Sequence, residues 1–191
     1  MLKRISHTVA LPTALAAALV LTACGTAGRG ANDADVQFAT MMIPHHAQAM
    51  AMADLALKEA TNPGVKGLAP AIKAAQGPEI KLMSGWLTGW GEPVPAKEAE
   101  SGMPGMDGMG DQSGGMMSAK EMTALSKATG TTFDRMWLTM MIRHHQGAVV
   151  MAKTDLAKGK SPATRKLATA IIDGQSTDIS EMTSILSKLP A

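Results

Sequence analysis

Hydrophobic side chains recur along this chain at spacings of three and four residues, which is the period of one face of an α-helix. The first stripe lies between residues 35 and 52 and consists of Asp35, Phe38, Met42, His45, Ala49 and Met52. A second stripe follows the turn sequence Asn62-Pro63-Gly64, and its members are Leu68, Ile72, Gln76, Ile80, Met83 and Leu87. Because Pro lacks an amide donor and Gly tolerates left-handed geometry, the pattern predicts a helical hairpin.

This hairpin occurs twice. When the chain is shifted by 99 residues, positions 35–90 match positions 134–189 at 20 of 56 places without a gap. His45-His46 falls on His144-His145, and the turn recurs at Pro162, with Ser161 as a candidate N-cap. Two hairpins that each carry an apolar stripe must bury it against one another. The duplication therefore predicts an all-α fold, a four-helix bundle with pseudo-twofold symmetry.

The same pattern defines the domain organisation. We expect a single four-helix domain over residues 33–191, with repeat 1 at 33–90 and repeat 2 at 119–191. A short additional helix is predicted from residue 119 to 128, before the first long helix of repeat 2. Residues 91–118 are rich in Gly, Pro and Met, a composition typical of a mobile linker.

The N-terminus has the features of an export signal. Lys3 and Arg4 precede an apolar run over residues 9–21, which is too short to span a bilayer comfortably but suits a signal peptide. The run ends in Leu21-Thr22-Ala23-Cys24, which resembles a bacterial lipobox. We therefore predict a lipoprotein signal peptide at 1–23, lipidation of Cys24 and a tether at 24–32. The alternative is a plain secretory signal with an incidental Cys.

Charge and cysteine content exclude several classes of protein. Removal of the signal peptide leaves 16 basic residues against 16 acidic ones, so there is no electrostatic reason to expect nucleic acid as a partner. A single Cys excludes an intramolecular disulfide framework and multi-Cys metal sites. The chain nevertheless has 17 Met and only five aromatic residues, an excess that needs a packing or a chemical explanation.

Removal of the signal peptide also removes His7, and the four histidines that remain supply a chemical explanation for the Met excess. They form two adjacent pairs at equivalent repeat positions, and each pair shares its stripe with Met three residues before and seven after its first member. Packing about a twofold axis brings these side chains towards the bundle core. The candidate metal ligands are His45, His46, His144, His145, Met42, Met52, Met141 and Met151. The alternative is that the His are hydrogen-bonded core residues and Met is adaptable filler.

Ligand chemistry favours copper among the metals. Imidazole suits several transition metals, whereas thioether is a soft ligand that selects Cu(I). Zinc sites prefer Cys, His and carboxylate, and di-iron bundles need Glu-x-x-His, where this chain has Met42-x-x-His45 and Met141-x-x-His144. Copper, as Cu(I) or Cu(II), is therefore the expected metal, although other transition metals fit imidazole as well.

Further residues are candidates for a supporting role. Asp35 and Asp134 lie ten residues before each His pair and are expected to cap helix starts, with a role in supporting the ligands as the alternative. Gln76 and Gln175 interrupt apolar stripes, and their amides could pair with an imidazole. In the linker, Met103, Met106, Met109, Met116 and Met117 could gather around Cu(I), scavenge oxidants, or be low-complexity sequence without a site.

The doubled motif also resembles a known family. Met41-Met42-Ile43-Pro44-His45-His46 and its counterpart at 140–145, each followed by Ala and then Met, are similar to the signature of the domain-of-unknown-function family 305. That resemblance covers about residues 33–189 and implies a ferritin-like, exported four-helix bundle associated with copper binding and resistance. It implies the same eight His and Met ligands. Ala47-Gln48 departs from the commoner Gln-Gly that repeat 2 keeps as Gln146-Gly147.

The sequence leads to three functional hypotheses. The first is a lipid-anchored extracytoplasmic protein, on the periplasmic or cell-surface side, that sequesters or transfers copper without catalysis. Its partners would be the membrane and a copper transporter, chaperone or oxidase. The second is a metal-dependent redox enzyme of the cell envelope, and the third is a structural or partner-binding lipoprotein without metal. The sequence leaves the oligomeric state open.

Overall fold

In the computed structural model, which describes residues 30–96 and 114–190, the fold is all α-helical. The elements are α1 (Asp33–Glu59), α2 (Pro63–Trp90), α3 (Ala119–Lys127), α4 (Gly130–Lys158) and α5 (Pro162–Lys188). The predicted helical hairpins and the short extra helix are confirmed. The predicted signal peptide, Cys24, and the linker residues Met103, Met106 and Met109 lie outside the described residues.

Among the helices of the described ranges, none combines the length and the apolar character needed to cross a lipid bilayer.

Local sequence explains where the helices begin. Asn32 and Asp35 form a capping box at the start of α1, in which each side chain accepts a backbone amide of the other. Asn62 and Ser161 cap α2 and α5 in equivalent positions, and each is followed by Pro at the first helical position. The predicted N-cap at Ser161 is confirmed.

The two hairpins meet through α1 and α4. α1 packs along α2, α4 packs along α5, and the hairpins contact each other mainly where α1 and α4 cross. Residues 49–56 of α1 share a buried cluster with residues 133–141 of α4. Residues 38–43 share a second cluster with residues 148–152, so the helices run antiparallel. The histidines lie at the centre of the crossing, between the two clusters.

Asp35 and Asp134 join the two repeats. The Asp35 carboxylate accepts the backbone amides of Lys160 and Ser161 at 3.1 Å, in the turn between α4 and α5. Asp134 accepts the equivalent amides of Thr61 and Asn62 at 3.1 and 2.9 Å, in the turn between α1 and α2. Each repeat therefore supplies a buried carboxylate to the amides in the other repeat's turn.

Asp155 is a buried carboxyl that the duplication does not explain, because Ala56 stands at its equivalent position. Its side chain is 1% exposed and lies beside the Asp35 carboxylate and the Thr164 hydroxyl. Burial and the nearby charge of Asp35 raise the pKa of Asp155 to about 6. Burial alone would also raise the pKa of Asp35, but hydrogen bonds from Thr164 and the backbone outweigh it, so that pKa is lowered. Of the two carboxyl groups, Asp155 therefore keeps its proton to the higher pH.

The raised pKa of Asp155 beside Asp35 predicts that Asp155→Asn stabilises the protein in a pH-dependent way. Because the pKa of Asp155 is raised in the folded state, its stabilising contribution is complete below pH 4 and is lost as the pH rises through about 6. The Asn variant cannot ionise. We expect it to exceed the wild type in free energy of unfolding by about 1–2 kcal/mol at pH 8, with the difference vanishing near pH 4. Urea unfolding at both pH values measures this.

The matched control is Asp173→Asn, which removes the same charge from an exposed position of α5. It is expected to change the free energy of unfolding by less than about 0.5 kcal/mol at either pH. A loss of stability in Asp155→Asn at pH 8 would contradict the raised pKa of Asp155.

Candidate metal centre

The first histidines of the two pairs meet at the centre of the α1–α4 crossing. The imidazole centroids of His45 and His144 are 3.7 Å apart, with 34° between the ring planes. Their side chains come from equivalent positions of the repeat, so the contact lies on the pseudo-twofold axis. His45 is 1% exposed and His144 is fully buried.

The second histidines point away from this contact towards the outer helices. Nε2 of His46 lies 2.7 Å from the Glu79 carboxylate on α2, and Nε2 of His145 lies 3.3 Å from Asp178 on α5. Adjacent ring centroids within a pair are 6.4 and 6.2 Å apart. The 100° rotation between consecutive helical residues explains why the two imidazoles of a pair face different neighbours.

Burial keeps the central imidazoles neutral. Desolvation, followed by the proximity of His46, lowers the pKa of His45 to about 3. Desolvation and the neighbouring His45 hold the pKa of His144 well below its ordinary value. The pKa of His46 is also lowered by burial, although the Glu79 carboxylate opposes that shift. Neutral imidazoles carry a free lone pair, which is the form that binds a metal.

Several buried imidazole nitrogens have no protein partner. These atoms are Nδ1 of each of the four histidines and also Nε2 of His144. Most buried polar groups in proteins are hydrogen-bonded, so a cluster of such atoms calls for a physical explanation. Carboxylates that hold Nε2 of His46 and His145 leave Nδ1 as the nitrogen without a partner, an arrangement common around metal-binding histidines.

Methionines lie on both sides of the His45–His144 contact. Met42 is fully buried in one core cluster, and Met151 packs against that cluster. Met52 and Met141 are fully buried in the other. The structure thus divides the four predicted methionines into two sets, each containing one residue from α1 and one from α4.

The end of the predicted linker is part of this region. We call residues 114–118 the strap. The backbone carbonyl of Gly114 lies 2.8 Å from Nε2 of His45, and the side chain of Met117 is buried beside α4, where Arg143 contacts its sulfur. The mobility expected for residues 91–118 therefore does not extend to the strap, because its polar backbone is hydrogen-bonded to α1. Met116 in the strap is half-buried.

The supporting residues differ from those that sequence reasoning selected. Asp35 takes part in the capping box of α1, as predicted, whereas α4 has no side-chain cap and Asp134 instead accepts amides in the turn of the opposite repeat. Gln76 and Gln175 are buried as expected, but their side-chain oxygens have no partner. The residues missed were Glu79 and Asp178, which hold His46 and His145. Their equivalence under the 99-residue shift was the available signal.

Within the described ranges, no group of three or more His, Cys, Asp or Glu side chains is arranged as a metal site. The central feature is instead a pair of imidazoles, with methionines in the core clusters on either side. These donors are borderline to soft, so they fit a soft transition metal better than a hard cation that requires oxygen ligands.

The fold and this centre define a duplicated helical bundle with a buried pair of histidines at its pseudo-twofold axis. The chain belongs to the DUF305 family, a domain of unknown function, whose profile matches residues 35–186. A 53-residue segment is also 43% identical to the uncharacterised protein L153 of Acanthamoeba polyphaga mimivirus. That match spans 28% of this chain and about a third of the viral protein (35%).

Solved structures share this fold. CopM in its Cu(II)-bound form is 37% identical, with a TM-score of 0.67 over 80% of this chain and 95% of CopM. A DUF305 fragment from Deinococcus radiodurans is 33% identical, with a TM-score of 0.72 over 83% of this chain and 99% of the fragment. A candidate secreted DUF305 protein of Streptomyces coelicolor is 30% identical, with a TM-score of 0.69 over 81% and 93% of the two chains. CopM has also been crystallised with Cu(I) and with Ag.

Proposed function

We propose that this chain is an extracytoplasmic, lipid-anchored copper-binding protein that sequesters or transfers the ion without catalysing a reaction. The observation that carries the proposal is the buried His45–His144 contact, in which Nδ1 of His45 and both ring nitrogens of His144 lack a hydrogen-bond partner among the described residues. CopM, similar over most of its length, is known in Cu(I)- and Cu(II)-bound forms.

Metal binding would remove the cost of leaving these nitrogens unpaired. Burying a polar atom without a partner costs roughly 1–3 kcal/mol, so the apo centre is destabilised by the groups that make it a ligand set. His45 and His144 lie where both repeats contribute, and His46 and His145 would add donors whose Nε2 is already held by a carboxylate.

The methionines would set the preference for the oxidation state. Thioether sulfur favours Cu(I), and the buried Met42 and Met141 lie three residues before His45 and His144, on the same helix faces. Met52 and Met151 lie two turns further along each stripe. The ligand set proposed is therefore His45, His46, His144, His145, Met42, Met52, Met141 and Met151.

Export and anchoring complete the proposal. The lipobox-like sequence before Cys24 supports attachment to the outer side of a membrane, and the candidate secreted relative supports export. An anchored protein of this kind would exchange copper with a transporter, chaperone or oxidase at the same membrane.

The first test replaces His144 by Leu. A structural histidine should lose stability on this change, whereas a buried ligand without partners should not. We expect the apo His144→Leu variant to be at least as stable as the wild type, and its copper affinity to fall by about 100-fold or more, equal to about 2.7 kcal/mol. Thermal unfolding and competition with a chromophoric chelator measure the two effects.

The control for this test is Thr139→Ala, an exposed position of α4 five residues before His144. It should leave copper affinity within a factor of two, allowing about 0.4 kcal/mol of experimental scatter. Wild-type affinity in His144→Leu would refute the proposed centre.

A second test separates the two oxidation states. Met42→Leu combined with Met141→Leu preserves most of the side-chain volume but removes two sulfurs. Cu(I) affinity is expected to fall by about tenfold or more, while Cu(II) affinity changes by less than about threefold. The matched control is Met41→Leu with Met140→Leu, neighbouring residues of which Met41 is 38% exposed. Equal losses for both ions would argue against thioether ligation.

The anchor is tested by Cys24→Ser. The variant should move from the membrane fraction to the soluble fraction of the producing cells, because the thiol that would carry the lipid is absent. Its copper affinity should match that of the wild type, since Cys24 precedes the bundle. Retention in the membrane fraction after high-salt washing would count against lipidation.

A further inference from the structure

The strap makes a specific contact with one of the two central histidines. The carbonyl oxygen of Gly114 lies 2.8 Å from Nε2 of His45. A carbonyl can only accept a hydrogen bond, so this contact requires a proton on Nε2. In a neutral imidazole, the proton on Nε2 leaves Nδ1 as the bare nitrogen, and Nδ1 of His45 is buried without a partner.

Gln48 holds the strap against α1. Its side-chain amide donates to the carbonyl of Met117 at 2.8 Å and accepts the Met117 amide at 2.7 Å. Gln48 is 5% exposed, so these two bonds are made away from bulk water. A paired amide contact of this kind fixes both the position and the direction of the strap backbone.

Gly147 provides the space in which the strap lies on α4. A Cβ at Gly147 would overlap the carbonyl group of Gly114, and a Cβ at Gly115 would overlap the carbonyl of Arg143. Gly114 and Gly115 have positive φ angles of 57° and 78°, which glycine adopts readily. The strap therefore depends on glycine on both sides of its contact with α4.

Gln48 and Gly147 occupy equivalent positions of the two repeats. Gln48, which departs from the family pattern, binds the strap in repeat 1, and the equivalent Gly147 in repeat 2 leaves space for it. The strap breaks the pseudo-twofold symmetry. Its Gly114 carbonyl oxygen accepts a hydrogen bond from Nε2 of His45, whereas both ring nitrogens of the equivalent His144 are without a partner.

From this geometry we infer that the strap is a positioning element of the centre: the Gly114 carbonyl fixes His45 in the Nε2–H tautomer, so that His45 presents Nδ1 to copper. Gln48 and Gly147 act through the strap and are positioning residues. The inference rests on the proposed function for its ligand. It adds that the two halves of the duplicated site are unequal, with one imidazole orientation fixed before the metal arrives.

The test is Gly147→Ala in the whole chain, because the added methyl group displaces Gly114 from His45. Long-range ¹H–¹⁵N NMR of the apo protein, labelled at histidine, reports which ring nitrogen carries the proton. We expect a single Nε2–H form of His45 in the wild type and a mixture of tautomers in the variant. Cu(I) affinity, measured with a chromophoric competitor, should fall by about tenfold.

The matched control is Gly174→Ala, the same change inside α5 at a position where a Cβ meets nothing within 4 Å. It should leave both the tautomer and the affinity of the wild type unchanged. Gln48→Leu provides a second variant, which removes both bonds to Met117 without adding bulk to α4. It should reproduce the changes seen in Gly147→Ala.

The outcomes separate this inference from the proposed function. If Gly147→Ala and Gln48→Leu keep the wild-type tautomer, the strap does not orient His45. If the tautomer changes but Cu(I) affinity stays within twofold of the control, the strap does not position a ligand, although copper binding itself stands. If the wild type binds no copper while the tautomer still depends on the strap, the proposed function fails and the structural part of the inference survives.

Discussion

The crossing of α1 and α4 is the contact on which the structure depends. Two copies of one helix face meet antiparallel, so equivalent residues oppose each other only at the centre, and that position belongs to His45 and His144. Apolar residues on either side form the two core clusters that bury it. Asp35 and Asp134 secure the ends by binding the opposite turns. A tightly packed core therefore surrounds polar atoms that have no protein partners.

This arrangement connects stability with function. The buried nitrogens of the central pair cost folding free energy, and desolvation keeps the imidazoles neutral and able to bind a metal. The same packing excludes water and buries methionines in the core clusters on either side of the imidazoles. The strap then makes the two halves unequal, because one segment cannot cover both sides of a twofold axis. Duplication supplies the histidine pairs, and the 114–118 segment distinguishes them.

Periodicity and duplication were sufficient to predict the all-α bundle, its hairpin turns and the N-cap at Ser161. They also placed the His pairs near the axis, because symmetry requires equivalent helix faces to meet. The partners of His46 and His145 were not predicted, since Glu79 and Asp178 lie 33 residues away on helices whose rotation depends on packing. The strap was missed because its Gly-rich composition indicates flexibility. Hydrogen bonds from Gln48, a tertiary contact, hold it in place.

X-ray absorption at the copper edge is the most direct test of the central claim, that copper binds between the two repeats through imidazole and thioether. The Cu(I)-loaded protein should show both nitrogen scattering typical of imidazole and a sulfur shell, and His144→Leu should lose or alter both. A spectrum without sulfur, or one that is unchanged in His144→Leu, would contradict the assignment of this centre as the copper site.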